Sequence, residues 1–574
     1  MNKKWNINQL VSNQAIETLI KKVKTDKITA KLLIQRGLTQ KKEIFGFFKP
    51  DIEKLHDPFL MKDMDNAVNR LIKAYQNKEK IMLYGDYDVD GTTAVSLLYK
   101  NLISEFDITY YIPDRFKEGY GISQIGINYA ITNGIDLIIS LDCGIKSKEE
   151  IHYAKKNKID FIVCDHHEVG ENIPQCIVLN PKQKDCSYPY KGLSGCGVGF
   201  KFLQGMYNKM KWDTEKLFND LELVAISIAA DMVPITNENR ILAFHGLSKL
   251  NSQPSSAIKQ MVLAANRSFP INIQDIAFTI APRINAVGRL RNGKISVDFL
   301  TSNTANEIST ILSDIQKDNH ERKELDKRIF NEAIDKIKKN KDFKSYKCTI
   351  LYDQSWHKGV LGIVASKLIE VHYQPTIILN EQKGVLSGSA RSIEGINIHD
   401  AICCCKDLLI KFGGHSNAAG LSLKKENFDA FSKRINSFIQ RKMTKKEFIP
   451  LLNIDSEIKF TDIFKSKENR NKTPRFKEII DHFEPTGQGN FKPVFMSKNL
   501  FCVDSKILQN KHLKMSIVEK GSDIKFEAIA FNMIEKEKLI AAGLSFNAVY
   551  TLETNNFRNK KSIQLNIKDI QECK

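Results

Sequence analysis

The sequence predicts an α/β protein of several domains: a doubly wound parallel sheet, a second α/β domain reached through a long helix, and a small C-terminal β-barrel. Three observations predict it. Beyond Ile81 short apolar runs alternate with helix-length segments, the pattern of βαβ units. No Gly or Pro occurs between Gly293 and Gly359, and strand-like runs dominate beyond Leu451. At 574 residues the chain is also too long for one core and fits three or four domains of roughly 100–200 residues each.

Residues 1–75 read as a helical region packing on the core, polar between its apolar positions and broken at Phe48-Lys49-Pro50 and Asp57-Pro58. Over 76–302, Ile81–Tyr84, Ile108–Ile112, Leu137–Leu141 and Phe161–Cys164 read as parallel strands. Ligands of such sheets bind beyond the carboxyl ends of the strands. Over 303–340, Ile308, Ile311, Leu312, Ile315, Leu325, Ile329, Ala333 and Ile337 recur at near-helical spacing, so a long connecting helix is expected. Residues 341–447 resume strand character at Cys348–Tyr352 and Pro375–Leu379, with a tight turn expected at Gly413-Gly414-His415. In 448–574, Phe526–Phe531 and Ala548–Leu552 suit a barrel.

Lys plus Arg is 86 against 67 Asp plus Glu, a net charge of +19 and a pI near 9.2, which favours a polyanionic partner such as nucleic acid. Coding bias toward Lys, Asn and Ile is the competing source of part of that excess. The eleven cysteines lack paired spacing apart from Cys403-Cys404-Cys405, so neither a disulfide framework nor a zinc site is indicated. The N-terminus has no signal-peptide apolar core, and no stretch approaches the roughly 18 apolar residues of a membrane span. A soluble, cytoplasmic protein is expected.

The chemistry is carried by Asp86, Asp88 and Asp90, then Asp142, then Asp165-His166-His167, with Asp231 following. Carboxylates with one or two imidazoles suit Mn²⁺ or Mg²⁺ better than Zn²⁺. The run GDYDVDG (85–91) is not an EF-hand loop, because the twelfth position is Leu97 and a strand precedes Asp86. No Gly-Lys-Ser/Thr follows a glycine-rich turn, which excludes a P-loop. Three Asp within five residues repel one another unless a cation neutralises them. A solvated turn with a helix-capping Asp accounts for one of the three and not for all. Two ions about 3.5–4 Å apart can activate water and clamp the phosphoryl oxygens, so hydrolysis of a phosphoester or phosphoanhydride is expected.

These motifs resemble the DHH phosphoesterase superfamily, named for residues seen here as Asp165-His166-His167. LHDPFLMKDM (55–64), GDYDVDGT (85–92), IPDRFKEGYG (112–121), AADMVP (229–234), APRIN (281–285), WHKGVLG (356–362) and GGH (413–415) resemble, in order, its branch of single-strand-specific 5′→3′ DNA exonucleases. The resemblance runs from about residue 30 to about 570 and implies a DHH domain, a DHH-associated domain and an OB-fold. It implies metal ligands at Asp86, Asp88, Asp90, Asp142, His166 and Asp231, with Asp142 bridging two divalent ions, Mn²⁺ or Mg²⁺. His167, Arg283 and Asn285 are implied at the phosphate, and Arg115, Ser389, Arg391, Gly413, Gly414 and His415 on the substrate. Backbone amides at a Gly-Gly turn can approach an anion closely.

In the OB-fold, Phe501, Lys506, Lys511, Lys514, Phe557, Arg558, Lys560 and Lys561 are of types that guide a single strand. EPTGQGN (484–490) departs from the branch's commoner Pro-Phe-Gly-x-Gly-Asn form, which bears on local packing more than on catalysis. The resemblance further implies release of 5′-mononucleotides in recombination and repair, a monomer, and a helicase and a single-strand-binding protein as partners. Two alternatives stay open: a phosphodiesterase of short oligoribonucleotides, cyclic dinucleotides or pyrophosphate, and a catalytically silent binding protein. The added basic length argues against the first and the full acidic set against the second.

Overall fold

The structure, a computed structural model, describes residues 3–8, 11–340, 343–442, 448–464, 473–541, 543–557 and 560–573. Arg558 lies outside them. The chain divides into two compact units, one of Trp5–Tyr111, Tyr120–Ala281 and Leu452–Lys574, the other of Met1–Lys4, Ile112–Gly119 and Pro282–Leu451.

In the first unit, β1 (Ile81–Gly85), β2 (Ile108–Tyr111), β3 (Leu137–Leu141), β4 (Asp160–Cys164) and β5 (Ile177–Leu179) form an all-parallel sheet in the order β2-β1-β3-β4-β5. β1 and β3 are buried at every residue, as apolar strands covered on both faces must be. Register places Gly85 beside Leu141, Leu141 beside Cys164 and Cys164 beside Leu179. Four strands therefore end in one row, and Asp86, Asp142, Asp165 and Asn180 leave it side by side. The sequence reading missed the three-residue β5.

Five C-terminal strands of the same unit close a barrel: β11 (Phe495–Leu508), β12 (His512–Glu519), β13 (Lys525–Ala530), β14 (Phe546–Phe557) and β15 (Lys560–Glu572). The five strands of the second unit's sheet fall between the two sets in the chain and take the intervening numbers. The barrel order is β11-β12-β13-β15-β14, and β14 returns to pair with β11. The helices Asn13–Val23, Lys27–Gln35 and Lys41–Phe48 place Ile16, Leu19, Leu33 and Ile44 in the apolar core that holds Phe495, Ile517 and Tyr550 of this barrel. Helix Met64–Asn77 instead packs on α2 (Gly195–Met210), where a Cβ at Gly205 would stand 3.1 Å from Val68. The N-terminal region is thus shared between two cores.

The segment 484–490 is held from both sides. Arg240 donates to the carbonyls of Phe47 (2.9 Å), Phe483 (3.0 Å), Glu484 (2.9 Å) and Pro485 (3.0 Å), with its guanidinium 3.8 Å from the Phe47 ring centre. Thr486, where the commoner motif has Phe, donates its hydroxyl to Glu484 at 2.9 Å, and Asn490 donates to Phe483 and Pro485. The segment is thus fixed by its own polar bonds as well as by Arg240.

In the second unit α4 (Ala281–Leu290) precedes the long helix α5 (Ala305–Lys339). Its apolar face carries Ile308, Leu312, Ile315, Ile329, Ala333 and Ile337. The gap in that pattern is filled by buried Asp318, Asn319, Arg322 and Asp326, with Arg291 and Lys367 paired to the two aspartates. The second sheet contains β6 (Thr349–Asp353), β7 (Thr376–Gln382), β8 (Val385–Arg391), β9 (Leu409–Gly414) and β10 (Ala418–Lys424) in the order β9-β10-β8-β7-β6. Only β6 and β7 pair in parallel; the rest of this sheet is antiparallel. The expected turn at Gly413-Gly414-His415 is corrected: both glycines end β9, opposite Gly420 and Ala419. Gly414 has φ +147°, and a Cβ there would lie 2.4 Å from the Ala418 carbonyl oxygen, so only glycine fits. Among the described residues no helix is long and apolar enough to cross a membrane.

Arg240→Ala leaves at least four carbonyls of the first unit without their donor. Guanidinium unfolding is expected to show a loss of about 3 kcal/mol; a loss below about 1 kcal/mol would mean that the carbonyls find other partners.

Candidate metal centre

Each acidic residue is set by local backbone chemistry. Asp86 leaves β1 and crosses the first turn of α1 (Val89–Leu102) so closely that a Cβ at Gly91 would stand 2.4 Å from its carbonyl oxygen. Asp88 is the N-cap of α1 and accepts from the Gly91 amide at 3.1 Å. Asp90 accepts from the Gly195 and Cys196 amides at the start of α2, at 2.7 and 2.8 Å, and lies 2.6 Å from the Ser227 hydroxyl. A helix N-terminus and a hydroxyl thus fix its carboxylate. Asp142 has φ +62° and packs on Gly195, where a Cβ would fall 2.6 Å from its own. Asp231 is the C-cap of α3 (Leu221–Ala230). It is helix-borne and does not follow a strand.

Asp165 serves the backbone. Its Oδ1 accepts from the amides of His166 (2.7 Å) and His167 (3.0 Å) and from His167 Nδ1 (2.8 Å), while Oδ2 accepts from the Ile145 amide (2.9 Å). Asn180, from the same row, donates to the His167 carbonyl at 3.0 Å.

His166 Nδ1 lies 3.0 Å from the Leu193 carbonyl, which can only accept, so this nitrogen carries the proton. Its Nε2 then presents a lone pair to Asp142 Oδ1 at 3.1 Å and to Asp90 and Asp231 at 3.6 Å each. Nε2 and Asp142 Oδ1 are both buried and make no hydrogen bond. A lone pair facing carboxylates in a buried pocket calls for a cation. Ligand atoms of three trios converge within 4.8 Å: Asp86, Asp88 and Asp142; Asp90, His166 and Asp231; and Asp142, His166 and His167. The first two trios with Asp142 between them fit a pair of oxygen-preferring divalent ions.

The charges record the same strain. Burial, then the neighbouring Asp90, raises Asp88; burial and the other aspartates raise Asp142 well above the carboxylate range. Asp231, with 32 % of its side chain exposed, is pushed up to about 8 by burial and by Asp90 and Asp88. Burial lowers His166. Burial would lower His167 too, but its bond to Asp165 carries it up to about 9, and the same bond keeps Asp165 below the usual range despite burial. In the metal-free chain the bond to Asp165 thus favours the charged form of His167.

The other sequence-predicted residues lie in the second unit. Arg283 and Asn285 are half-buried on α4. Arg391 and Ser389 of β8 lie over α6 (Leu361–His372), where a Cβ at Gly362 would stand 2.7 Å from the Arg391 guanidinium and 3.4 Å from Ser389 Oγ. Burial and the charge of Arg115 both weaken the Arg391 proton's hold, so the two guanidinium groups are neighbours. Gly413, Gly414 and His415 are exposed at the end of β9. Sequence reasoning missed Tyr120, whose hydroxyl lies 3.2 Å from His167 Nε2, and Ser194 and Ser227 behind Asp90. Tyr120 stands in a quoted motif, which was the available signal; the serines gave none.

A parallel sheet that gathers carboxylates and a bare imidazole nitrogen at its carboxyl edge defines a phosphoesterase of the DHH class. Residues 80–228 match the DHH family N-terminal domain, 345–441 the DHHA1 domain and 454–569 the RecJ OB domain. The single-stranded-DNA-specific exonuclease RecJ of Bacillus subtilis strain 168 is 33% identical over 573 residues, covering 99% of this chain and 70% of that protein. RecJ of Haemophilus influenzae is 33% identical over 535 residues, covering 90% and 91%. The chain belongs to the RecJ family. The crystal structure of Thermus thermophilus RecJ in complex with Mn²⁺ shares the fold, with a TM-score of 0.83 at 23% identity over 100% of this chain and 80% of that one. Its complex with Mg²⁺ gives 0.77 at 21% identity, over 100% and 79%.

The raised carboxyls predict how protons and ions compete. A carboxyl raised in the folded state stabilises the metal-free chain below its unfolded pKa, about 4, and loses that contribution as pH rises through the folded value, about 8 for Asp231. Melting in EDTA should therefore fall between pH 6 and pH 8, and Mn²⁺ should raise the midpoint more at pH 8. An equal Mn²⁺ effect at both would contradict the assignment.

Proposed function

We propose that this chain is a single-stranded-DNA-specific exonuclease that removes 5′-mononucleotides in the 5′→3′ direction, in recombination and repair. The observation that carries the reading is the His166 Nε2 lone pair among Asp90, Asp142 and Asp231, in a chain whose relatives along nearly its whole length are named single-stranded-DNA-specific exonucleases. Asp86, Asp88 and Asp142 would hold one divalent ion, Mn²⁺ or Mg²⁺, and Asp90, Asp142, His166 and Asp231 the other. Such ions, when bound, lower the pKa of water and neutralise phosphoryl oxygens.

The chain's own groups do the rest. Leu193 fixes which nitrogen of His166 carries its proton, and Asp165 accepts from Nδ1 of His167. His167, held protonated by Asp165, supplies positive charge where negative charge develops on phosphate. In the second unit Arg115, Ser389 and Arg391 would take a phosphate, since like-charged guanidiniums, that of Arg391 lying over the start of α6 at Gly362, are relieved by an anion. Arg283, whose charge adds to burial in lowering Lys323, and Asn285 would lie along the same polyanion, as would Gly413, Gly414 and His415. The domains follow the boundaries 1–75, 76–302, 303–340, 341–447 and 448–574, and the barrel's Phe501, Lys506, Lys511 and Lys514 would guide the strand. The net charge of +19 supports a polyanionic substrate. A cytoplasmic monomer acting with a helicase and a single-strand-binding protein completes the reading.

The test is hydrolysis of a long single strand labelled at its 5′ or 3′ end. Prompt release of the 5′ label as a mononucleotide is expected with Mn²⁺ or Mg²⁺ and not with EDTA. Asp142→Ala should lower the rate by more than the roughly 100-fold typical of losing a group behind a metal ligand. Intact DNA beside cleaved dinucleotides or pyrophosphate would move the activity to small substrates.

A further inference from the structure

Tyr120 has geometry that the proposed function leaves without a role. It sits between Gly119 and Gly121, with φ +87° and +86°. A Cβ would meet nothing at Gly119 and only Ser147 Oγ, at 3.8 Å, at Gly121, so these glycines serve the backbone path and not close packing. The Tyr120 hydroxyl is 3.2 Å from His167 Nε2, 3.3 Å from Nδ1 and 3.4 Å from the Asp142 carbonyl oxygen. Its ring meets the His167 ring edge-on, with centres 5.7 Å apart and planes at 70°. The residue is nevertheless 56% exposed. A tyrosine that served the core would be covered, as Tyr84 is in the same unit, at 0%.

Held at its polar tip and more than half exposed, the side chain is oriented before any ligand arrives. Aromatic rings so fixed lose little entropy on binding, and they stack on any base. We propose that Tyr120 is a stacking platform for the 5′-terminal nucleobase of the strand at the metal centre. The inference rests on the exonuclease reading. It makes Tyr120 a substrate-contacting residue that recognises the presence of a base and not its identity.

The test is fluorescence anisotropy with a 5′-phosphorylated hexathymidylate and its counterpart lacking only the 5′-terminal base, both in EDTA so that binding is read without cleavage. Tyr120→Ala is expected to weaken the intact oligonucleotide roughly ten-fold and to leave affinity for the abasic one within about two-fold. Tyr120→Phe, which keeps the ring, should retain most of the discrimination. Equal weakening of both oligonucleotides by Tyr120→Ala, with an unchanged melting midpoint, would make Tyr120 a support for His167 and overturn the platform. No weakening of either would overturn it as well. If the wild-type chain neither binds the intact oligonucleotide in EDTA nor degrades it with Mn²⁺, the exonuclease reading itself fails, an outcome that differs from both.

Discussion

Mutual repulsion among buried carboxylates is the constraint on which this structure depends. Asp86, Asp90 and Asp142 are each at most 2% exposed, and Asp142 is raised by burial and by its neighbours. Such a set is costly in a folded chain unless cations or protons relieve it. The surrounding structure is arranged to hold the cost in place. Gly91 admits the backbone of Asp86 and Gly195 the side chain of Asp142, the start of α2 and Ser227 grip Asp90, and Leu193 strips His166 Nε2 of its proton. Removing repulsion here would stabilise the metal-free protein and destroy its purpose.

Sheet register does the coarse positioning and loop chemistry the fine. Because Gly85, Leu141, Cys164 and Leu179 end level, the residues that follow leave one edge at the strand spacing of about 4.8 Å. That row contains two carboxylates of the acidic cluster, Asp86 and Asp142, one carboxylate that fixes two histidines, Asp165, and one amide, Asn180, that fixes the backbone behind them. Asp231 reaches the same place from the end of α3, so a helix completes what four strands begin.

Much of this was legible in the sequence. Buried parallel strands write themselves as short apolar runs, and Asp86, Asp88 and Asp90 cannot be explained as a solvated turn. The division of labour inside the motifs was not legible. Asp165 shares a motif with His166 and His167 and its role there is not written in the sequence; its oxygens are spent on three amides and a ring nitrogen. That depends on the backbone path after β4, which no spacing rule records. Gly413 and Gly414 read as a turn and prove to be strand residues, because antiparallel pairing with β10 requires a flat approach. Barrel closure by β14 on β11 pairs Phe495 with Tyr550 across the intervening strands, and the sharing of its core with Ile16 and Leu33 joins residues hundreds of positions apart. The buried Asp318 and Asp326 of α5 interrupt an apolar pattern because their partners, Arg291 and Lys367, come from other elements, while Arg322 pairs with Asp326 within the helix.

The most direct measurement is an anomalous difference map from crystals of this chain grown with Mn²⁺. The account predicts two peaks about 3.5–4 Å apart, one within ligand distance of Asp86, Asp88 and Asp142 and the other within ligand distance of His166 Nε2, Asp90 and Asp231. A single peak, or two that leave His166 Nε2 without a metal, would contradict it.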